Sequence, residues 1–285
     1  MDSITINAYA KINLFLEVCE KRPDSYHNID SIMQAVSLCD IVTVRKCDII
    51  KLDNNAGLPN NENNLAYKAA KLFFEYNNIK NGAEIYIEKN IPISAGLAGG
   101  STDAAAVLKA LNAIYETNMS IDTLCSLSSK LGADVPFCIK GGTYITKGIG
   151  DIFSPCYSLP DCYIVISKAG EGVSTPFAYG EIDKNRINVK YTYKTSDAVV
   201  KALEDKDIND VAKNSYNVFE GVVCPIRPKV NEQKEIMRSN GAILSMMSGS
   251  GPSVFGIFTD KTKAENALKS LKKYGADAHI CTPII

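Results

Sequence analysis

Residues 91–106 read Ile91-Pro92-Ile93-Ser94-Ala95-Gly96-Leu97-Ala98-Gly99-Gly100-Ser101-Thr102-Asp103-Ala104-Ala105-Ala106, a run of small residues leading straight into a helical pattern. Beyond it, apolar side chains recur at Ala104, Val107, Leu108, Leu111 and Ile114, the i, i+3, i+4, i+7 spacing of an amphipathic helix. Ser101 or Thr102 is the expected N-cap, and Asp103 suits the first turn. Upstream, Ala83-Glu84-Ile85-Tyr86-Ile87-Glu88-Lys89 alternates like a strand, so the unit is strand, loop, helix. Small residues leave the amides before the helix uncovered, and amides converging on a helix N-terminus bind phosphate. The plainer reading is a tight connection whose small residues serve packing alone. The loop is not a Walker A motif, because no Gly-Lys-Ser/Thr follows. Nor do Gly96, Gly99 and Gly100 have the spacing of the dinucleotide fingerprint. A nucleoside triphosphate held by a third kind of loop is the sharper reading.

Bulk properties narrow the alternatives. At 285 residues the chain can form two cores of ordinary size. A net charge of -1 and a pI near 6.2 give no electrostatic reason to expect nucleic acid or an anionic membrane as partner. The 46% hydrophobic and 22% charged content is that of a soluble globular protein. No apolar run is long enough to span a bilayer, and the N-terminus Met1-Asp2-Ser3-Ile4-Thr5-Ile6 has no signal-peptide character, so the expected location is the cytoplasm. Nine cysteines occur singly, with no Cys-x-x-Cys, as buried thiols in a reducing compartment do. His27 and His279 are the only histidines, which disfavours a histidine metal site or a Ser-His-Asp triad. Chemistry is left to carboxylates, lysines and backbone amides.

Along the first half, Ile12, Leu14, Leu16 and Val18 alternate with Lys11, Asn13, Phe15 and Glu17, predicting a strand with one buried face. A helix is expected over 64–76, and another through Leu124, Leu127 and Leu131, stopping at Gly132. Lys147-Gly148-Ile149-Gly150-Asp151, with Pro155 and Pro160 beyond, marks the expected junction between domains 1–155 and 156–285. The second half predicts a strand at 163–166, helices at 197–203 and 230–238, strands at 242–246 and 254–258, a helix at 263–274 ended by Gly275, and a strand at 278–281. That order suggests a split β-α-β layer.

Four further segments carry candidate chemistry. In Ala8-Tyr9-Ala10-Lys11-Ile12-Asn13-Leu14, strand geometry puts Lys11 and Asn13 on one face roughly 7 Å apart. Such a lysine is usually solvated, but beside an asparagine it could serve a phosphoryl group. In Leu131-Gly132-Ala133-Asp134-Val135-Pro136-Phe137, Asp134 has the look of a plain helix cap when taken alone. Arg22-Pro23-Asp24-Ser25-Tyr26-His27 offers an aromatic pair in a turn-rich loop. Ser248-Gly249-Ser250-Gly251-Pro252-Ser253 is a glycine-rich turn between two strands, by itself an ordinary hairpin connection.

Together, and in this order over roughly residues 8–258, these segments resemble the signature motifs of the GHMP small-molecule kinase superfamily. Ala10 to Leu14, Tyr26-His27 and Leu131 to Pro136 narrow the resemblance to members whose acceptor alcohol carries a cytidine diphosphate group, in non-mevalonate isoprenoid synthesis. The resemblance implies an α+β, two-domain fold, with an N-terminal domain like ribosomal protein S5, a C-terminal ferredoxin-like domain and a cleft between them. It implies Lys11 and Asp134 as the catalytic pair, consistent with a carboxylate that takes the hydroxyl proton and a lysine beside it. It implies that Pro92, Ile93, Ser94, Ala95, Gly96, Leu97, Ala98, Gly99, Gly100, Ser101 and Thr102 wrap the phosphates of ATP, with Mg²⁺ carried on the nucleotide. Asn64 and Lys89 would lie near the adenosine. Tyr26 and His27 would hold the cytosine, with Asn13, Asp134 and Thr175 also at the substrate. The chain would act as a monomer or homodimer.

The chain departs from the family at several points. Ser94, Ala95 and Ala98 stand where the family's loops are richest in glycine, so negative φ is expected there. Ser25 replaces a glycine before Tyr26-His27, and the run 168–172 before Thr175 is atypical. Two alternatives remain at this stage. One is homoserine kinase, which shares the phosphate loop and the Ser-Gly-Ser-Gly-Pro turn; the Lys11/Asp134 pair and Tyr26-His27 count against it. The other is a GHMP-fold protein without catalysis, whose mark would be loss of Lys11 or Asp134; both are present.

Overall fold

The computed structural model describes residues 2–187 and 191–285. Its two longest strands are β1 (Ser3–Lys21) and β2 (His27–Cys47), and each contributes residues to both of the compact units into which the chain divides. The first unit comprises residues 1–10, 38–91 and 98–141; the second comprises 11–37, 92–97 and 142–285. Both units are therefore discontinuous in sequence.

In the first unit, β2 pairs antiparallel with β4 (Gly82–Glu88), which is flanked on its other side by β3 (Lys51–Asn54) running parallel to it. The alternation expected for 83–89 is borne out, since β4 buries Ala83, Ile85 and Ile87 and exposes Glu84, Tyr86 and Glu88. Helix α1 (Leu65–Asn77) and helix α2 (Gly99–Ile114) pack together. Both helices bury several alanines, Ala66, Ala69 and Ala70 on one and Ala104 to Ala106 and Ala110 on the other, side chains short enough for close packing. The expected stripe on α2 is buried throughout, and on its opposite side Thr102, Ala105 and Ala106 are buried as well, whereas Ala113 is exposed. Two short helices follow, α3 (Ile121–Ser128) and α4 (Asp134–Lys140). Here the structure corrects the sequence reading. α3 ends at Ser128 instead of continuing through Leu131, and Leu131 and Gly132 belong to the turn that starts α4.

In the second unit, β2 pairs with β5 (Thr143–Lys147), which pairs in turn with β6 (Ile152–Pro155). A four-stranded sheet follows, containing β7 (Tyr163–Lys168) and, after five helices, its three partners. Those helices are α5 (Thr175–Arg186), α6 (Asp197–Glu204), α7 (Ile208–Asn214), α8 (Glu220–Ile226) and α9 (Pro228–Ser239). The short β8 (Tyr216–Asn217) lies between α7 and α8 and pairs parallel with β1. The chain closes with β9 (Leu244–Met247), β10 (Ser253–Phe258), α10 (Lys261–Lys273) and β11 (Asp277–Cys281). The sheet order is β11-β7-β10-β9, antiparallel throughout, which is the split β-α-β layer expected from the sequence. A core built from Val165, Val254, Phe258, Val230, Met237, Ala267 and Leu271 joins this sheet to its helices.

The expectation of a one-faced strand at 12–18 is also corrected. Every residue from Ala10 to Val18 is buried, so Lys11, Asn13, Phe15 and Glu17 face a packed environment. Charges on that face require partners. Glu17 finds them in the amides of Val18 and Lys194, the Arg186 guanidinium and the Tyr191 hydroxyl. The Arg186 contact at 2.7 Å anchors the end of α5 to β1.

Candidate active site

The loop that leaves β4 reaches α2 by a strained path. Ser94 and Ala98 adopt left-handed φ of 52° and 61°, against the negative φ expected for them; Ala95 does not. Each costs about 1–2 kcal/mol for a residue with a Cβ and persists only where its surroundings over-determine it. Ala98 is the N-cap of α2, so the helix begins earlier than Ser101 or Thr102 would have started it. The left-handed turn at Ala98 brings the chain into the helix at Gly99, and no side chain caps it. The first amides, at Gly99, Gly100 and Ser101, are thus left for an external acceptor, as is the Ser101 hydroxyl, which makes no hydrogen bond among the described residues.

Within the second unit, three segments converge on Lys11. The Lys11 amide donates to the Leu97 carbonyl at 3.1 Å, tying the loop to β1. Gly96 has φ of 74°, and a Cβ there would lie 2.5 Å from the Ser248 carbonyl oxygen, so only glycine lets the loop approach the turn after β9 so closely. The Ser248 hydroxyl donates to the Gly96 carbonyl at 3.2 Å. The Lys11 ammonium donates to Asn13 Oδ1 at 2.8 Å, and the Gly249 amide donates to the same oxygen at 3.1 Å. Asn13 in turn donates to the Ser31 hydroxyl, which donates to the Phe15 carbonyl. The expected Lys11–Asn13 pairing on one strand face is present, but Lys11 is only 4% exposed rather than solvated. No carboxylate pairs with it among the described residues. A buried ammonium bonded to a neutral amide is short of negative charge, and an anion at this point would supply it.

In the first unit, Asp134 is the opening residue of α4, half-buried, with Ala133 at the N-cap and no side-chain cap. Its carboxylate makes no hydrogen bond or ion pair among the described residues. The capping role that the sequence suggests is therefore not the one it plays. Asn64 does cap: its side chain accepts from the Ala66 amide at the start of α1. Lys89 is held by two carboxylates, those of Asp40 and of Asp103, the latter at 2.6 Å. Burial drives the Asp103 carboxyl up to about 7; Lys89 opposes that shift and the neighbouring Asp40 carboxylate adds to it.

The Tyr26-His27 pair lines a cavity of about 440 Å³ in the second unit, together with Lys21, Thr175, Tyr179 and Asp183. Ser25, at φ of 70°, takes the left-handed turn a glycine would take, and Asp24 receives the Tyr26 amide at 3.1 Å. Tyr26 projects 63% exposed, whereas His27 is buried, donating from Nε2 to Asp183 at 2.7 Å with its ring 5.2 Å from that of Tyr179. Partial burial opposes ionisation of Asp183, but hydrogen bonds from Lys21 and His27 outweigh it and hold the carboxyl below its usual value. The Thr175 hydroxyl shares a 3.1 Å hydrogen bond with that of Ser250, joining the cavity to the glycine-rich turn. Sequence reasoning missed Lys21, Tyr179 and Asp183. A signal existed for two of them: Pro176 opens α5, and positions 175, 179 and 183 recur every four residues on one helical face.

Residues 64–142 match the family described as GHMP kinases N terminal domain, and residues 199–277 the family described as GHMP kinases C terminal. The chain belongs to the GHMP kinase family. A curated relative, the 4-diphosphocytidyl-2-C-methyl-D-erythritol kinase of Caldicellulosiruptor bescii, is 45% identical over 94% of this chain and 94% of its own. A crystal structure of 4-(cytidine 5'-diphospho)-2C-methyl-D-erythritol kinase superposes with a TM-score of 0.82 at 32% identity, covering 98% of this chain and 99% of that one. Homoserine kinase from Cytophaga hutchinsonii, at 20% identity and a TM-score of 0.75, covers 100% of this chain and 95% of its own and shares the fold.

Two expectations for this GHMP kinase follow from the loop. Gly96→Ala meets both left-handed strain and the Ser248 carbonyl, whereas Gly57→Ala, at φ of 65° with open space around it, meets strain alone. Urea unfolding should show a loss of about 1 kcal/mol for Gly57→Ala and at least about 2 kcal/mol for Gly96→Ala. Equal losses would show that the approach to Ser248 is not tight. The second concerns Asp103, whose carboxyl rises from an ordinary 3.8 to about 7 on folding. Between those values the native state holds a proton that the unfolded chain has released, so this group's contribution to stability declines as pH rises through that window. Asp103→Asn cannot ionise, and its stability relative to the parent should therefore increase from pH 5 to pH 7.5. A difference constant with pH would contradict the raised carboxyl.

Proposed function

We propose that the chain transfers the γ-phosphoryl group of ATP to the 2-hydroxyl of 4-diphosphocytidyl-2-C-methyl-D-erythritol, a step of isoprenoid precursor synthesis by the non-mevalonate route. The observation that carries this reading is the buried Lys11 ammonium. Among the described residues it has no carboxylate partner, and it lies where the phosphate loop meets the Ser248–Gly251 turn. The kinase relative at 45% identity supports the choice of substrate, as does the cavity walled by Tyr26, His27 and Tyr179. Homoserine has no flat ring for such a cavity to hold.

In this reading Pro92 to Thr102 cradle the ATP phosphates with the uncapped amides of α2, and the chain around Asn64 and Lys89 lies beside the adenosine. Tyr26 stacks on the cytosine, His27 bonds to it, and Asn13 and Thr175 contact the rest of the substrate. Asp134 accepts the proton of the attacking hydroxyl, and Lys11 offsets the negative charge on the group in flight. Mg²⁺ arriving on ATP neutralises phosphate charge. Among the described residues no three His, Cys, Asp or Glu side chains cluster as a metal site of their own, which suits an ion carried in by the nucleotide. The partner is then a small molecule rather than nucleic acid or membrane, and the site of action is the cytoplasm. Among the described residues no helix is long and apolar enough to cross a bilayer. The catalytic unit is a monomer or homodimer.

A coupled ADP-release assay offering the cytidine-linked erythritol, homoserine and mevalonate tests the reading, which fails if the first is not the preferred substrate. Asp134→Asn should lower kcat by about 10²–10⁴ while leaving ATP binding and the unfolding midpoint near those of the parent. Near-normal turnover would remove Asp134 from the chemistry. Tyr26→Ala should raise KM for the cytidine substrate about five- to 150-fold, the worth of one base–aromatic stack, with KM for ATP unchanged. Parallel changes in both constants would argue against a cytosine site at Tyr26.

A further inference from the structure

The two ends of the phosphate loop are tied into a single buried charge cluster. On the β4 side, Asp40 of β2 accepts the amides of Asn90 and Ile91 on Oδ1, at 2.6 and 2.8 Å, and the Lys89 ammonium on Oδ2. The Lys89 amide is held as well, donating to Asn55 Oδ1 at 2.8 Å. On the α2 side, the same Lys89 ammonium donates to Asp103 Oδ2. The three side chains are 6%, 0% and 4% exposed for Lys89, Asp40 and Asp103. The fit between them is close: a Cβ on Gly99 would lie 3.5 Å from Lys89 Nζ and 3.3 Å from the Ile91 side chain.

We propose that Asp40, Lys89 and Asp103 form an ionic latch that closes the base of the phosphate loop and holds it in its ATP-binding shape. The inference rests on the reading that Pro92 to Thr102 hold the ATP phosphates. Two physical points support it. First, one lysine between two carboxylates, removed from water, is a poor way to gain stability, since desolvation offsets most of the attraction and apolar side chains would pack as well. What the cluster provides is direction, because both Asp40 oxygens and Asp103 Oδ2 each meet a fixed donor. Asp103 Oδ1, buried with no hydrogen bond among the described residues, shows that the cluster is not arranged to satisfy every atom. Second, the loop contains two left-handed residues with side chains, Ser94 and Ala98, and such backbone persists only when its ends are held. Asp40 and Lys89 fix the residues before the strained stretch, and Asp103 fixes the helix after it. These are positioning residues: the Lys89 ammonium is committed to the latch rather than free for the nucleotide.

Asp40→Asn is the cleanest test. It preserves shape and the acceptor for the Asn90 and Ile91 amides while removing the charge that holds Lys89. Titration calorimetry and steady-state kinetics on the full chain should show ATP bound at least tenfold more weakly, with KM for the alcohol substrate within twofold and kcat within threefold of the parent. Lys89→Met should give the same pattern, and the double variant should be no worse than either single one, because one latch is broken in each case. Additive losses, or losses of kcat and both KM values in proportion to a lowered unfolding midpoint, would reduce the cluster to ordinary core structure and overturn the proposal. ATP affinity equal to the parent's in Asp40→Asn would overturn the latch alone. A parent chain that binds no ATP would overturn the ATP reading and the latch with it.

Discussion

A lysine ammonium taken out of water with only a neutral amide to meet it is the constraint around which the second unit is organised. Lys11 lies on a strand both of whose faces are buried, so its charge cannot be relieved by solvent. Asn13, two residues on, satisfies one of its three donors and simultaneously receives the Gly249 amide. That single oxygen therefore sets the distance between β1 and the turn after β9. The turn then sets the loop, because Gly96 lies against Ser248 too closely for any side chain. The remaining donors of Lys11 have no carboxylate to satisfy them among the described residues, and this shortage is what an anionic ligand relieves.

The phosphate loop shows how a family feature can be retained with different residues. Where glycine would take a left-handed backbone freely, this chain uses Ser94 and Ala98 in the same conformation, and Ser25 does likewise before Tyr26. The expectation that side chains would enforce negative φ assumed that local sterics decide. They do not here, because about 1–2 kcal/mol of local strain is small beside the several hydrogen bonds that fix the loop at both ends. The uncapped start of α2 follows from the same geometry: the left-handed Ala98 begins the helix at two glycines, neither of which has a side chain to occupy the amides.

Helix α5 makes the cavity beside Tyr26 and His27 out of residues that carry no motif. Its start contributes Thr175, its next turns contribute Tyr179 and Asp183, and its end is anchored by Arg186 on the buried Glu17. Asp183 orients His27 by accepting from Nε2, and Thr175 meets Ser250 in the glycine-rich turn. The helix was not legible in the sequence because only Ala178 and Ile182 among its residues are buried, too few to give a 3.6-residue stripe.

The sequence by itself determined the elements whose two faces see different surroundings, together with the family. Alternation located β4, helical patterns located α1, α2 and α10, and the strand–helix order of the second half suggested a split β-α-β layer, whose strand order is β11-β7-β10-β9. Strand spacing placed Lys11 beside Asn13, and the family resemblance singled out Tyr26, His27 and Thr175, which the structure brings to one cavity. Only the tertiary structure decided the rest. β2 escaped detection because most of its residues are buried on both faces, so no period-two pattern survives in its sequence. The partners of buried charge were equally invisible. Lys89 meets Asp40 and Asp103, and Glu17 meets Arg186, across 49, 14 and 169 residues of chain. A charged side chain reads the same in sequence whether water or another charge surrounds it. The fold alone chooses which, because the cost of burying a charge is met only where a remote segment brings its counterpart.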